Sequence, residues 1–347
     1  MRSPLLLLGI VTVAVTVGFT AYDKDDKQKN PQAQPPAQVQ SPPGSPTITP
    51  RSKGKSPDAA DGITDRKSVI RSDTTLVLIP GSVTDPLGRY VTNLDKENFK
   101  LMEEKVEQEI SQFSAEDAPI SVGVVFDASG SMGNKLLKSR QAVAHFMRTA
   151  NPEDEFFLIQ FNDRPELVVP FTPSTEEIQN RLTFVQSKGR TALLDGVYMA
   201  MNTMKKARNP RKAILIISDG GDNSSRYTMS EVHNAVRESD VQIYSIGIYE
   251  PIMARGRTPE EASGPELLRR LAEETGGRHF SVDNLAELPD VAAKIGIELR
   301  NQYVLGYVPK NASRDGKYRR VSVKLTNISG LGQLKPMFRT GYYAPTQ

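Results

Sequence analysis

Four nearly continuous hydrophobic runs constrain this chain more than any other feature. They lie at 121–126, 156–161, 213–217 and 243–248. A strand exposed on one face alternates polar with apolar residues, whereas one covered on both faces has no polar side to show. Runs of this kind therefore point to a parallel sheet buried on both faces. Longer amphipathic stretches fill the intervals, at 135–150, 175–185, 193–206, 230–238, 265–275 and 285–300. In the first of them Leu136, Val143, Phe146 and Met147 fall on one helical stripe. Pro265 suits a first helical turn, and Gly276-Gly277 suits a stop. The β-α alternation predicts a doubly wound, mostly parallel α/β sheet with helices on both faces.

The flanks have a different texture. Strand-like pieces at 75–79, 90–91, 99–102 and 106–113 are separated by turn signals at Pro80-Gly81 and 85–88. Beyond the α/β block come 303–308, 320–325 with clean alternation, and 337–343, with Asp315-Gly316 as a turn between the first two. Neither flank alone has enough strands to be stable. The expectation is one β-sandwich-like domain, 72–118 together with 302–347, into which the α/β domain, 119–301, is inserted. The alternative is two separate hairpins packed on the α/β domain.

Residues 5–21 form an uncharged run of 17, preceded by Arg2 and followed by the charged stretch Asp23-Lys24-Asp25-Asp26-Lys27. A spanning helix wants about 20 residues, and a secretory signal has a shorter apolar segment with a small-x-small cleavage site. Thr16-Val17-Gly18 is the tidy cleavage triplet, so 1–21 reads as an uncleaved anchor with a cleaved signal as the alternative. Either reading exports the rest of the chain to an extracytoplasmic space, the periplasm or the cell surface, with the anchored form held in the cytoplasmic membrane. The segment 22–71 carries eight prolines between Pro31 and Pro57 amid Gln, Ser, Thr and Lys. It cannot bury enough apolar surface to offset the entropy of ordering, and reads as a disordered spacer.

With no cysteine, disulfides, thiol nucleophiles and thiolate metal sites are excluded. Three histidines leave little room for imidazole chemistry. A net charge of +3, from 44 basic and 41 acidic residues, lacks the concentrated basic excess of a nucleic-acid binder. What remains is oxygen chemistry. The run ending at Phe126 leads directly into Asp127-Ala128-Ser129-Gly130-Ser131, a carboxylate and two hydroxyls on one tight loop. Thr191 stands at the start of a predicted helix, and the run 213–217 leads through Ser218 into Asp219-Gly220-Gly221-Asp222. Ligands of open α/β sheets sit beyond the carboxyl ends of strands, so these groups belong to one expected site. Three hydroxyls and two carboxylates suit a small hard cation such as Mg²⁺.

This combination strongly resembles the von Willebrand factor A domain and its metal-ion-dependent adhesion site, over residues 119–300. The resemblance implies Ser129, Ser131 and Thr191 as direct ligands of Mg²⁺ or Mn²⁺, with Asp127 and Asp219 bound directly or through water. The whole layout is also similar to bacterial VWFA-related proteins often found in acidobacteria, through Asn98-Phe99-Lys100-Leu101, Gln302-Tyr303-Val304-Leu305-Gly306-Tyr307 and Thr340-Gly341-Tyr342-Tyr343. One departure is Glu103-Glu104-Lys105, where an Asp-Gly type of turn is expected.

Two carboxylates roughly balance a divalent ion, and neutral hydroxyls leave it electrophilic, so an acidic side chain of a partner protein can complete its shell. The expectation is thus a binding module, not an enzyme. Lys135, Arg190, Arg226, Arg255 and Arg257 fall on loops predicted to share the site's face, and 251–263 is the longest of these loops. The competing classes are a metal-dependent hydrolase and an envelope component whose ion is purely structural. The hydrolase would need a second metal or a positioned base. His145, His233 and His279 show no ligand spacing, and Asp222 reads as supporting its loop.

Overall fold

A computed structural model of the chain describes residues 76–115, 117–249, 259–326 and 333–346. The expected anchor, the spacer and most of the 251–263 loop lie outside the described residues, as do Arg255 and Arg257. Among the described residues no helix is long and apolar enough to cross a membrane.

The described chain begins with β1 (Val77–Thr84), β2 (Phe99–Glu103), β3 (Val106–Gln108) and β4 (Ile110–Ser114). The α/β region follows as β5 (Ile120–Asp127), α1 (Leu136–Met147), β6 (Glu155–Phe161), β7 (Pro165–Thr172), α2 (Thr175–Thr183) and α3 (Leu193–Met204). It continues with β8 (Arg211–Ser218), α4 (Met229–Glu238), β9 (Gln242–Ile248), α5 (Pro259–Glu274), β10 (His279–Val282) and α6 (Leu288–Arg300). The last strands are β11 (Tyr303–Tyr307), β12 (Tyr318–Leu325), β13 (Lys335–Phe338) and β14 (Gly341–Tyr343).

The central sheet has the order β10-β9-β8-β5-β6-β7 and is parallel except for β7. From β5 the chain first builds outward through β6 and β7, then returns to the other side of β5 and builds outward through β8, β9 and β10. The reversal falls between β5 and β8, where an open α/β sheet forms its binding crevice. Every residue of β5 and β9 is buried, which explains the unbroken hydrophobic runs. Val122, Val124 and Phe126 join α1, α2 and α6 in one core, while Val125, Ile214 and Ile216 join α3, α4 and α5 in the other. The expected doubly wound fold is the observed one.

Several boundaries differ from the sequence expectation. β7 was not anticipated, because Pro165 and Pro170 break its pattern; as the outermost strand it needs no partner on its far side. α5 starts at Pro259 and holds Pro265 in its interior, because the earlier proline takes the position at which no amide is required. Pro80-Gly81 is not a turn but part of β1, which pairs with β11 from Val77 to Gly81 and with β13 from Gly81 to Thr84. A Cβ at Gly81 would lie 2.3 Å from the Phe338 ring, so a strand glycine is what this crossing requires.

Strands from both ends of the chain interleave in two antiparallel four-stranded sheets, β13-β1-β11-β4 and β14-β12-β2-β3. They enclose a common core with Ile79, Phe99, Leu101, Tyr303, Leu305 and Tyr307. The expected single strands 106–113 and 337–343 are each broken, at Glu109 and at Arg339-Thr340, and in both cases the two halves enter different sheets. The β2–β3 hairpin forms without an Asp-Gly pair. Glu104 and Lys105 take positive φ values of 45° and 71°, and Glu104 exchanges bonds with Arg320, its amide donating to the carbonyl and its carboxylate accepting from the amide.

Candidate metal centre

β5 delivers Asp127 to the crevice fully buried, and its neighbour in the sheet, β8, delivers Ser218 and then Asp219. Both Asp127 oxygens have donors: the Ser129 amide reaches Oδ1 at 2.8 Å, and Ser218 Oγ reaches Oδ2 at 2.6 Å. Beyond Asp127 the chain turns through a single 3₁₀ turn, Gly130–Met132, which brings Ser129 Oγ and Ser131 Oγ to 3.1 Å of each other. Ser129 is buried and Ser131 exposed, so the pair runs from the crevice to the surface.

The loop carrying Thr191 lies directly on this first loop. The Lys188 amide donates to Ala128, the Gly130 amide donates to Gly189, and Ser187 Oγ donates to the Ser129 carbonyl. Gly189 has φ +79°, and a Cβ there would come 2.4 Å from Asp163, whose Oδ1 accepts the Arg190 amide. The loop after β8 closes the third side. Asn223 Oδ1 accepts the Thr191 amide at 2.9 Å, and the Thr191 carbonyl accepts the amides of Asn223 and Ser224. Asp222 Oδ1 accepts the Leu193 amide and Ser225 Oγ, so it braces the start of α3. All five predicted residues thus stand on three loops that are hydrogen-bonded to one another.

Burial in a dry crevice raises the cost of ionising a carboxylate. Burial, and after it the charge of Asp219, pushes the Asp127 carboxyl up to about 7, against the bonds from Ser129 and Ser218 that favour its anion. Lys135 Nζ lies 3.1 Å from Asp219 Oδ2 with both side chains under a tenth exposed. Lys135, which the sequence placed on a loop of the site's face, is therefore an internal ion-pair partner. One ammonium leaves an excess of negative charge beside neutral hydroxyls. That donor chemistry fits a small divalent cation. Among the described residues no three His, Asp or Glu side chains converge on a metal position by themselves, so hydroxyl donors are indispensable to the fit.

Ser218 was not singled out from the sequence. It is the β5–β8 pairing, which sets Phe126 opposite Ile217, that places the next residues, Asp127 and Ser218, side by side. Of the other charges expected on this face, Arg190 is exposed and reaches the Asn223 carbonyl, and Arg226 pairs with buried Asp195 at 3.3 Å. The histidines bond elsewhere: His145 to Arg148, His233 to Glu274, and His279 to Ser245.

Residues 122–221 match the family model described as von Willebrand factor type A domain. An uncharacterized protein of Borreliella burgdorferi is 26% identical over 188 residues, 48% of this chain and 55% of that protein. Inter-alpha-trypsin inhibitor heavy chain H4 of Homo sapiens is 24% identical over 275 residues, 74% of this chain and 27% of that protein. The chain thus spans about half the length of the first and about a quarter of the second. Among solved structures, von Willebrand factor type A from Catenulispora acidiphila superposes with a TM-score of 0.46 at 13% identity, covering 72% of each chain.

Proposed function

We propose that this chain, whose residues 122–221 match the von Willebrand factor type A domain model, is an exported, membrane-tethered protein-binding module. Ser129, Ser131 and Thr191 would hold Mg²⁺ or Mn²⁺ together with Asp127 and Asp219, and the partner would contribute an exposed Asp or Glu. The observation that carries this reading is that two buried carboxylates, Asp127 and Asp219, stand at the ends of the neighbouring strands β5 and β8 beside the paired hydroxyls of Ser129 and Ser131.

When bound, the ion supplies an electrophilic coordination position for a carboxylate. The chain's own residues do the rest. Ser218 and the Ser129 amide hold Asp127 in one orientation. Asn223 and Ser224 fix the Thr191 loop. Exposed Ser131, Lys188 and Arg190 give the open side a polar and cationic rim, which favours an acidic visitor over a basic one. The export and the tether rest on residues 5–21 and the proline-rich 22–71.

Partner capture from a membrane extract, with Mg²⁺ and again with chelator, tests the reading. A captured protein that is lost with chelator and lost in the Asp127→Ala/Ser129→Ala double variant is the expected result. Capture that survives both changes overturns it. Turnover of phosphoesters or peptides abolished by Asp219→Ala would put a hydrolase in its place.

A further inference from the structure

The ion pair between Lys135 and Asp219 stands apart from the family of charges around it. Lys188 and Arg190 are exposed on the rim, and Arg226 has a side chain 82% exposed. The Lys135 side chain is only 6% exposed and its partner 8%. A lysine is almost never buried to this degree unless paired, and a buried pair survives only when each charge needs the other. Its backbone is held firmly. The Lys135 amide donates to the Met132 carbonyl at 2.9 Å, and its own carbonyl accepts both the amide and the hydroxyl of Ser139. The amine, by contrast, sits at the end of a flexible four-carbon stem and donates to Asp219 Oδ2.

We propose that Lys135 is a built-in competitor for the cation: its ammonium neutralises Asp219 in the ion-free protein and must give up that carboxylate when a divalent ion binds. The proposal rests on the metal reading above. A dication close to Asp219 would face an ammonium 3.1 Å from the same carboxylate. In a site screened from water, the repulsion between such charges is on the order of the attraction each has for the carboxylate. The two cations therefore compete for Asp219, and the ion's double charge favours it over the ammonium. The ion-free state therefore remains assembled, with its loops in place, while ion affinity is reduced by the cost of breaking the internal pair. Loading then also releases a buried amine towards solvent on the partner-facing side.

Two measurements on the full-length chain test this, with Mn²⁺ alone as the probe. Calorimetric titration into the wild-type and Lys135→Met proteins should show binding about tenfold tighter in the variant, the scale of removing one repulsive charge a few ångströms from the ion. Acetylation of lysines, followed by mass spectrometry of the wild type, should show Lys135 protected in chelator and modified severalfold faster with Mn²⁺. The second result needs no variant, and it decides the matter if Lys135→Met does not fold. A wild type that binds Mn²⁺ while Lys135→Met binds no more tightly, or while Lys135 stays protected, overturns the competition and leaves the metal reading standing. Absence of binding in both proteins overturns the metal reading and this proposal with it.

Discussion

Ser218 Oγ donates a 2.6 Å hydrogen bond to Asp127 Oδ2 across the β5–β8 boundary, and both residues are fully buried. It also accepts the Gly220 amide at 2.9 Å, so one hydroxyl orients the first carboxylate and shapes the turn that carries the second. Replacing it affects both. Ser218→Ala should lower stability by about 1–3 kcal/mol, the cost of removing a partner from a buried charged acceptor. It should also weaken Mn²⁺ binding although no proposed ligand is changed. Urea unfolding and a Mn²⁺ titration check this; an unchanged affinity would mean that Asp127 needs no orienting bond.

Gly189 and Gly88 share a positive φ but not an environment. At Gly189 a Cβ would collide with Asp163, whereas at Gly88 nothing lies within 4 Å. Gly189→Ala and Gly88→Ala should each show left-handed strain of about 1–2 kcal/mol. Only Gly189→Ala should also reduce Mn²⁺ affinity, because Asp163 must move and it holds the amide next to Thr191. Equal affinities in the two variants would detach the Thr191 loop from the ion.

Glu298 on α6 has no exposed surface and joins both halves of the described structure. It accepts from Ser82 Oγ of β1 at 2.7 Å and from Tyr90 OH in the segment after β1 at 2.8 Å, and from Tyr244 OH at 3.3 Å in the central sheet. Arg278 pairs with it at 3.3 Å. Burial, and then the Glu298 charge, holds the Tyr90 and Tyr244 hydroxyls protonated far above the usual phenol range. Glu298→Ala should cost about 3–5 kcal/mol, since Arg278 is left without its partner. A double-mutant cycle between Ser82→Ala and Glu298→Gln should give a coupling of about 0.5–3 kcal/mol. Additive effects would show that the flank and α6 are energetically independent.

His279 is held below the ordinary 6.5 of an imidazole, first by burial and then by the charge of Arg269. The unfolded chain therefore takes up a proton at a pH where the folded chain does not. The contribution to stability is present above 6.5 and is lost as the pH falls through the lowered folded value. Thermal melts between pH 7.5 and 5 (about the range over which an imidazole titrates) should show a decline that is shallower in His279→Asn. An identical slope in the variant would assign the acid sensitivity to other groups.

Much of the site was legible before any tertiary structure. Asp127, Ser129, Ser131, Thr191 and Asp219 are marked by their positions at the ends of hydrophobic runs and at a helix start, where local pattern and chemistry coincide. Ser218 was not, because a serine at the end of a buried run is ordinary until the neighbouring strand is known. Lys135 was placed on the site's face but its pairing was not foreseen, for the same reason: no local rule tells a lysine on a loop that its amine will face a buried carboxylate. The breaks at Glu109 and at Arg339-Thr340 carry no proline or Asp-Gly pair to mark them; only the need to cover two faces of one core sends the halves to different sheets.

What the amino-acid order determined by itself was the period of each segment, and with it the buried parallel strands, the helices between them and the oxygen-bearing loops at their ends. These are short-range properties, set by which side chains must leave water and which backbones must turn. What only the tertiary structure decided was partnership: that β5 lies beside β8, that Ser218 faces Asp127, that Lys135 neutralises Asp219, and that Glu298 ties α6 to Ser82 and Tyr90. Those pairings join residues as many as 216 positions apart. Their strength comes from the exclusion of water, a condition that no short stretch of chain creates alone.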